Sequence, residues 1–192
     1  MLNNTLDKAA LRRVLLANRQ AITAEVRQQW DAAIGARVLA WWNANPVRCL
    51  GVYWPIRNEP DLRELYQALV RQGVQLALPA VTARDAPLSF IGWQPGEVLV
   101  KDAFGAMVPQ DAASEVKPDT LLIPCVGFNS DRFRLGYGGG FYDRTLAAAP
   151  RPLAAGVAYE CCRAEFDADT FDIALDVMIT EQSPLEDTPQ HA

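Results

Sequence analysis

Nine residues, TLLIPCVGF (120–128), form the most apolar run of the chain, and shorter apolar runs recur on both sides of it. A run of this length reads as a buried strand. CLGVYW (49–54), VQLALP (74–79), LSFIGW (88–93), LAAGVAY (153–159) and ALDVMIT (174–180) read the same way. Between the first two of these, residues 61–72 carry a helical pattern that Gly73 stops. Strand, helix, strand is the pattern of an α/β layered fold. In such folds ligands gather at the carboxyl ends of strands, which singles out Glu59 in the loop PIRNEPD. An exposed loop acid is the plainer account of the same residue.

The N-terminal segment is helical by the same logic. Residues 5–22 predict a helix capped by Thr5, with Leu6, Ala10, Val14 and Ala17 as its apolar stripe. Lys8 and Arg12 then share one face, as a solvated pair or as two cations aimed at an anion. Thr23 predicts the cap of a second helix whose stripe is Val26, Trp30, Ile34, Val38 and Trp41. Residues 94–119 read as loop, with Phe104 placed either to plug the core or to stack on a flat ligand. No repeat or linker divides the chain: one domain spans 1–185, followed by a polar tail, 186–192, and the last dozen residues read as frayed.

Composition removes several classes. No apolar run approaches the roughly 20 residues of a membrane span, and the N-terminus lacks the apolar core of a signal peptide. Cys49, Cys125, Cys161 and Cys162 form no CxxC pair, which points to a reduced, cytoplasmic setting. The net charge of −5 argues against a nucleic-acid partner. The single histidine, His191, stands next to the last residue. Catalysis therefore rests on carboxylates, Lys and Arg, backbone amides or a hard cation.

The segment FNSDRFRLGYGGGFYDR (128–144) joins the most apolar strand to a predicted helix, FYDRTLAAA. Gly136, Gly138, Gly139 and Gly140 bare the backbone of one short loop, as a tight turn or as a cradle for an anion. Arg134 and Arg144 flank it with guanidinium groups suited to phosphate. Asp143, at the helix start, suits a cap or Mg²⁺ held against phosphates. Neither GxxxxGK[ST] nor GxGxxG occurs.

RLGYGGGFYDR, preceded by PDTLLIPCVGF, resembles the signature of the 5-formyltetrahydrofolate cyclo-ligase family. The resemblance extends to KAALR (8–12), YWPIRNEPDL (53–62), LPAV (78–81), FGAMVP (104–109) and FDIALDVMIT (171–180), in the expected order. It implies a three-layer α/β/α fold with a mixed, mostly parallel sheet, similar to ribose-5-phosphate isomerase and CoA transferases. It implies ATP- and Mg²⁺-dependent closure of 5-formyltetrahydrofolate to 5,10-methenyltetrahydrofolate through phosphorylation of the formyl oxygen, with release of ADP and phosphate. A monomer working on these two small molecules, with no membrane and no nucleic acid, is expected.

Carried over by position, the resemblance assigns ATP to Lys8, Arg12, Arg134, Leu135, Gly136, Tyr137, Gly138, Gly139, Gly140, Phe141 and Tyr142. It assigns the folate to Trp54, Glu59 and Phe104, with Tyr137, Gly138, Gly139, Gly140 and Phe141 shared. Arg134 and Asp143 are the expected catalytic residues, and Asp143 and Asp172 the expected Mg²⁺ ligands; Asp176 reads as structural. The chain departs from the family pattern at Asn129 and Arg132, where Asp and a turn glycine are usual. Rival readings are a sugar-phosphate isomerase or acyl-CoA transferase on the same scaffold, a folate-binding sensor without catalysis, and a cyclo-ligase for a related heterocycle.

Overall fold

The computed structural model describes residues 7–110 and 114–183. Four helices are α1 (Lys8–Ala21), α2 (Ala24–Ala44), α3 (Arg63–Arg71) and α4 (Phe141–Ala147). The central strands are β1 (Cys49–Gly51), β2 (Gln75–Ala80), β3 (Ser89–Trp93), β6 (Glu115–Val116), β7 (Thr120–Pro124), β10 (Leu153–Val157) and β11 (Val177–Ile179). They form one sheet in the order β11-β10-β7-β1-β2-β3-β6. The pairs from β11 to β2 are parallel, and β3 and β6 pair antiparallel at one edge.

Alternation along the buried strands sends side chains to two cores. Leu50, Leu76, Leu78, Leu122 and Val157 pack with Ile34, Val38 and Trp41 of α2 and Leu65 and Leu69 of α3. Ala77, Leu121, Ile123 and Ala154 face the other way, toward Leu146 of α4 and Phe128. This is the expected mixed, mostly parallel sheet between helical layers. The α2 stripe lies as predicted, and Thr23 Oγ1 caps it by accepting from Val26 N.

Four expectations fail locally. The apolar run 120–128 is not one strand: it breaks after Pro124, and Gly127–Phe128 (β8) turns away to pair antiparallel with Arg134–Leu135 (β9). The loop 94–119 contains a hairpin of Leu99–Lys101 (β4) and Met107–Pro109 (β5), as well as β6. α1 starts at Lys8 with Asp7 as cap, and Thr5 and Leu6 lie outside the described residues. Its inner face is Leu11, Leu15 and Arg19, whereas Val14 is 47% exposed. Leu11 and Leu15 pack on Val126, Leu135 and Phe166, so α1 rests on β9, the residue before β8 and the segment around Phe166. At the other end, Glu181 is buried and accepts from Glu160 N, so the expected frayed segment begins with an anchored residue. Residues 184–192, with His191 and the tail, lie outside the described residues.

Candidate active site

A cavity of about 610 Å³ opens at the carboxyl ends of β1, β2 and β7. The N-terminal half of α1, the loop after β1, the β4–β5 hairpin, the glycine loop and the start of α4 line it. Every residue that the family resemblance assigned to ATP, folate or metal borders this one space. Leu135 also packs its side chain with Leu11 and Leu15 and is 2% exposed. A larger hollow of about 840 Å³ runs between α2 and α3 and shares Trp54, but brings together none of the loop's cations or glycines.

Around the glycine loop the cavity gathers three cations, Lys8, Arg12 and Arg134, and three carboxylates, Asp143, Asp169 and Asp172. Arg134 is 8% exposed; its Nη2 donates to Asp143 Oδ2 at 2.7 Å, and its guanidinium lies 5.2 Å from the Tyr142 ring centre. Its Nε is buried without a partner among the described residues, an arrangement that costs free energy unless something else binds there. Arg12 Nε donates to Gly136 O at 2.7 Å, so α1 braces the glycine loop. Gly138 (φ +96°) and Gly140 (φ +63°, the residue before α4) adopt left-handed backbone that a side chain would strain. Arg144 does not border the cavity. Its donors go to the carbonyls of Arg84, Ala86 and Gly139, making it a clamp on the loop's outer side.

Lys8 bridges two carboxylates, Asp169 Oδ2 and Asp172 Oδ2, each at 2.7 Å. Partial burial works against the Lys8 charge, but the two acids outweigh it and hold its pKa above the usual value. Burial likewise opposes the Asp172 charge, yet the Lys8 ammonium and the Asp169 N–H hold its carboxyl below the usual range. Asp169 was not singled out from sequence. No group of three or more His, Cys, Asp or Glu forms a ready metal cage among the described residues. Asp143 and Asp172 each keep one oxygen outside their ion pairs. That donor set fits a hard cation that brings ligands of its own, as Mg²⁺ does with phosphates.

The loop after β1 brings Trp54 and Glu59 to the same cavity, and Glu59 is no exposed loop acid: it is 3% exposed. Arg57 (φ +49°) and Asn58 (φ +58°) form a tight left-handed turn that folds Glu59 back, with Oε2 accepting from Ile56 N at 2.9 Å. Oε1 accepts from the Tyr137 hydroxyl at 2.8 Å. Burial pushes the Glu59 pKa up, against these two bonds and the charges of Arg19 and Arg57. Trp54 stands edge-on to Trp93 at 6.0 Å and under the Arg63 guanidinium, while Phe104 is 46% exposed at the rim.

Arg19 went unnoticed in the sequence, although it continues the four-residue spacing of Leu11 and Leu15. It is 1% exposed and donates to three oxygens: Arg57 O (3.0 Å), Cys125 O (3.2 Å) and Tyr137 Oη (2.7 Å). Asp176, by contrast, sits away from the cavity and bonds Arg151 and Ala154 N, as a structural residue would.

Residues 4–181 match the model of the 5-formyltetrahydrofolate cyclo-ligase family. The chain belongs to that family. A 5-formyltetrahydrofolate cyclo-ligase of Mycolicibacterium smegmatis is 31% identical over 91% of this chain and 93% of its own length. One from Mycoplasma pneumoniae is 28% identical over 92% of this chain and all of its own. The solved structure of Aquifex aeolicus 5,10-methenyltetrahydrofolate synthetase superposes with a TM-score of 0.78 at 28% identity, covering 96% of both chains. The cyclo-ligase family converts 5-formyltetrahydrofolate to 5,10-methenyltetrahydrofolate, and this chain is a ligase of that kind.

Proposed function

We propose that this cyclo-ligase binds ATP and 5-formyltetrahydrofolate together in the 610 Å³ cavity and joins N10 to the formyl carbon in two steps. An N-formyl group is a poor electrophile because its nitrogen donates into the carbonyl. The formyl oxygen first attacks the γ-phosphorus and ADP leaves. The resulting formimidoyl phosphate is electrophilic at carbon. N10 then attacks that carbon, phosphate leaves, N10 loses its proton, and the five-membered methenyl ring is closed.

Neither step needs a protein nucleophile. Both need two substrates held in line and charge neutralised on the transferring phosphoryl group. Arg134, Arg12, Lys8 and the loop Leu135–Tyr142 would hold the triphosphate. Glu59 would accept from the two adjacent donors of the pterin ring, with Trp54 and Phe104 as apolar walls. Asp143 and Asp172 would hold Mg²⁺ through their remaining oxygens; bound there, the ion would neutralise phosphate charge. Arg134 and Asp143 are the catalytic residues of this reading.

The observation that carries it is one cavity in which the glycine loop gathers Lys8, Arg12 and Arg134 and is joined through Tyr137 to the buried carboxylate of Glu59. An isomerase or acyl transferase would use one of the cavity's carboxylates, Glu59, Asp143 or Asp172, as its base and would need no ATP, so the ATP requirement separates those readings from this one. The test mixes purified protein, 5-formyltetrahydrofolate, Mg²⁺ and ATP and follows the methenyl absorbance. Product that depends on both ATP and Mg²⁺ supports the proposal. Product without ATP overturns the phosphorylation step, and binding without product favours a sensor.

A further inference from the structure

We propose that Arg19 is a positioning residue that orients Glu59, directing the Tyr137 hydroxyl proton onto its carboxylate and holding the Arg57–Asn58 turn that carries it. The inference rests on the reading of Glu59 as the pterin's partner.

The argument is one of donor direction. A guanidinium has donors only. Arg19 Nη2 donates to Tyr137 Oη, so that hydroxyl's own proton is directed to Glu59 Oε1. The second oxygen of Glu59 is fixed by Ile56 N. The carboxylate therefore receives one protein donor on each oxygen, and its remaining lone pairs are left for the cavity. A neutral Glu59 would present a donor where the pterin also presents donors.

Arg19 also controls the backbone that carries Glu59. Its Nε donates to the carbonyl of Arg57, a non-glycine residue in left-handed conformation that neighbouring bonds must hold in place. Its Nη1 donates to Cys125 O, just past β7, which ties that turn to the sheet. One buried cation thus fixes the position, rotation and proton pattern of Glu59 without touching it.

The groups that face Glu59 leave few other sources of positive charge. Tyr53 and Tyr66 from β1's loop and α3, Tyr137 and Tyr142 from the glycine loop and α4, and Cys125 are all pushed up by burial and stay neutral near pH 7. Arg19 and Arg57 are the cations that offset burial at Glu59. Arg57 is exposed and lies over the Tyr137 ring, where water screens it; Arg19 is not screened.

The test is the titration of Glu59, read from its carboxyl ¹³C shift in the ligand-free protein, for wild type, Arg19→Met, Arg19→Lys and Tyr137→Phe. The same variants are assayed for equilibrium binding of 5-formyltetrahydrofolate and of ATP between pH 6 and 9. Arg19→Met is expected to move the Glu59 titration up. It should weaken folate binding more than ATP binding, and more at the acid end of that range than at the alkaline end. Arg19→Lys should restore part of the titration. Tyr137→Phe, at a half-exposed position that tolerates the change, should give a smaller shift of the same sign even if Arg19→Met fails to fold. A Glu59 titration unmoved in the folded variants overturns the inference, as does a loss of folate and ATP affinity that is equal and independent of pH. A titration that moves as expected while Glu59→Gln binds folate like wild type upholds the role of Arg19 and removes the pterin reading instead.

Discussion

Arg134 Nη2 lies 2.7 Å from Asp143 Oδ2, with the two side chains 6% and 18% exposed. The pair ties β9 to α4 across the glycine loop, so it is both a structural bolt and the core of the phosphate end. Removing one partner leaves a nearly buried charge alone, which costs about 3–5 kcal/mol, whereas replacing both with apolar residues is often close to neutral. Asp143→Ala should therefore lower the melting temperature markedly, and Arg134→Met with Asp143→Leu should regain most of it. Neither should regain turnover. Arg134→Ala should cost about 1.5–3 kcal/mol in ATP kcat/KM, roughly ten- to a hundredfold. Unchanged ATP kinetics would reduce the pair to its structural part.

The turn that lacks its glycine has a physical solution. Arg132 adopts φ +64°, the left-handed conformation a glycine would take at little cost. Its carbonyl accepts from Leu175 N at 3.0 Å and its Nε donates to Leu175 O at 3.1 Å. Asn129 Oδ1 accepts from Asp131 N and Phe133 N and its amide donates to Phe166 O, closing the turn from inside. Strain of about 1–2 kcal/mol is thus set against one extra bond of about 1 kcal/mol. Arg132→Ala loses the bond and keeps the strain; Arg132→Gly loses both. Urea unfolding should rank glycine above alanine by about 1 kcal/mol, the reverse of the usual order. Alanine equal to or above glycine would mean that φ at this position carries no strain.

What the sequence disclosed follows from what its patterns record. The order of strands and helices and the α2 stripe were legible because burial on one or both faces leaves a period in the apolar residues. The glycine loop was legible because Arg134, Gly138, Gly140 and Asp143 serve backbone geometry and charge rather than packing. The break at Pro124 was not, because β7 and β8 are both buried and hydrophobicity cannot tell one strand from two that diverge. The inner face of α1 was misread for a related reason. Arg19 lies where an apolar residue should be, and its burial becomes sensible only when Arg57, Cys125 and Tyr137, distant in sequence, supply the acceptors.

Lys8 and Asp172 set a pH window. The raised pKa of Lys8 stabilises the fold below its unfolded value near 10.4, and that contribution fades as pH rises through the folded pKa. The lowered pKa of Asp172 stabilises the fold above its unfolded value near 3.9, and that contribution fades as pH falls through the folded pKa. Both act together from about pH 5 to 9. The melting temperature of Asp172→Asn should fall furthest below wild type in that window, and the gap should close on acidification below about pH 4. A gap that persists at pH 3 would assign the loss to packing rather than to the ion pair.

Glu59 supplies the sharpest separation of stability from function. Its folded pKa is raised by burial, so keeping it ionised at neutral pH works against folding. The sign is opposite to that of Asp172: stability is greatest below the unfolded pKa near 4.3 and declines as pH rises through the folded value. Glu59→Gln keeps the shape and removes the charge. Its amide nitrogen meets a donor, Ile56 N–H or the Tyr137 hydroxyl, at a cost that does not change with pH, so the sign is read from the trend: its melting temperature relative to wild type should be higher at pH 7.5 than near pH 4. Its KM for 5-formyltetrahydrofolate should rise about tenfold or more, while KM for ATP stays within about twofold. A site that gives up stability for an ionised carboxylate is expected to use that charge on its substrate. A variant whose stability relative to wild type does not rise with pH, with folate and ATP affected alike, would make Glu59 a structural acid.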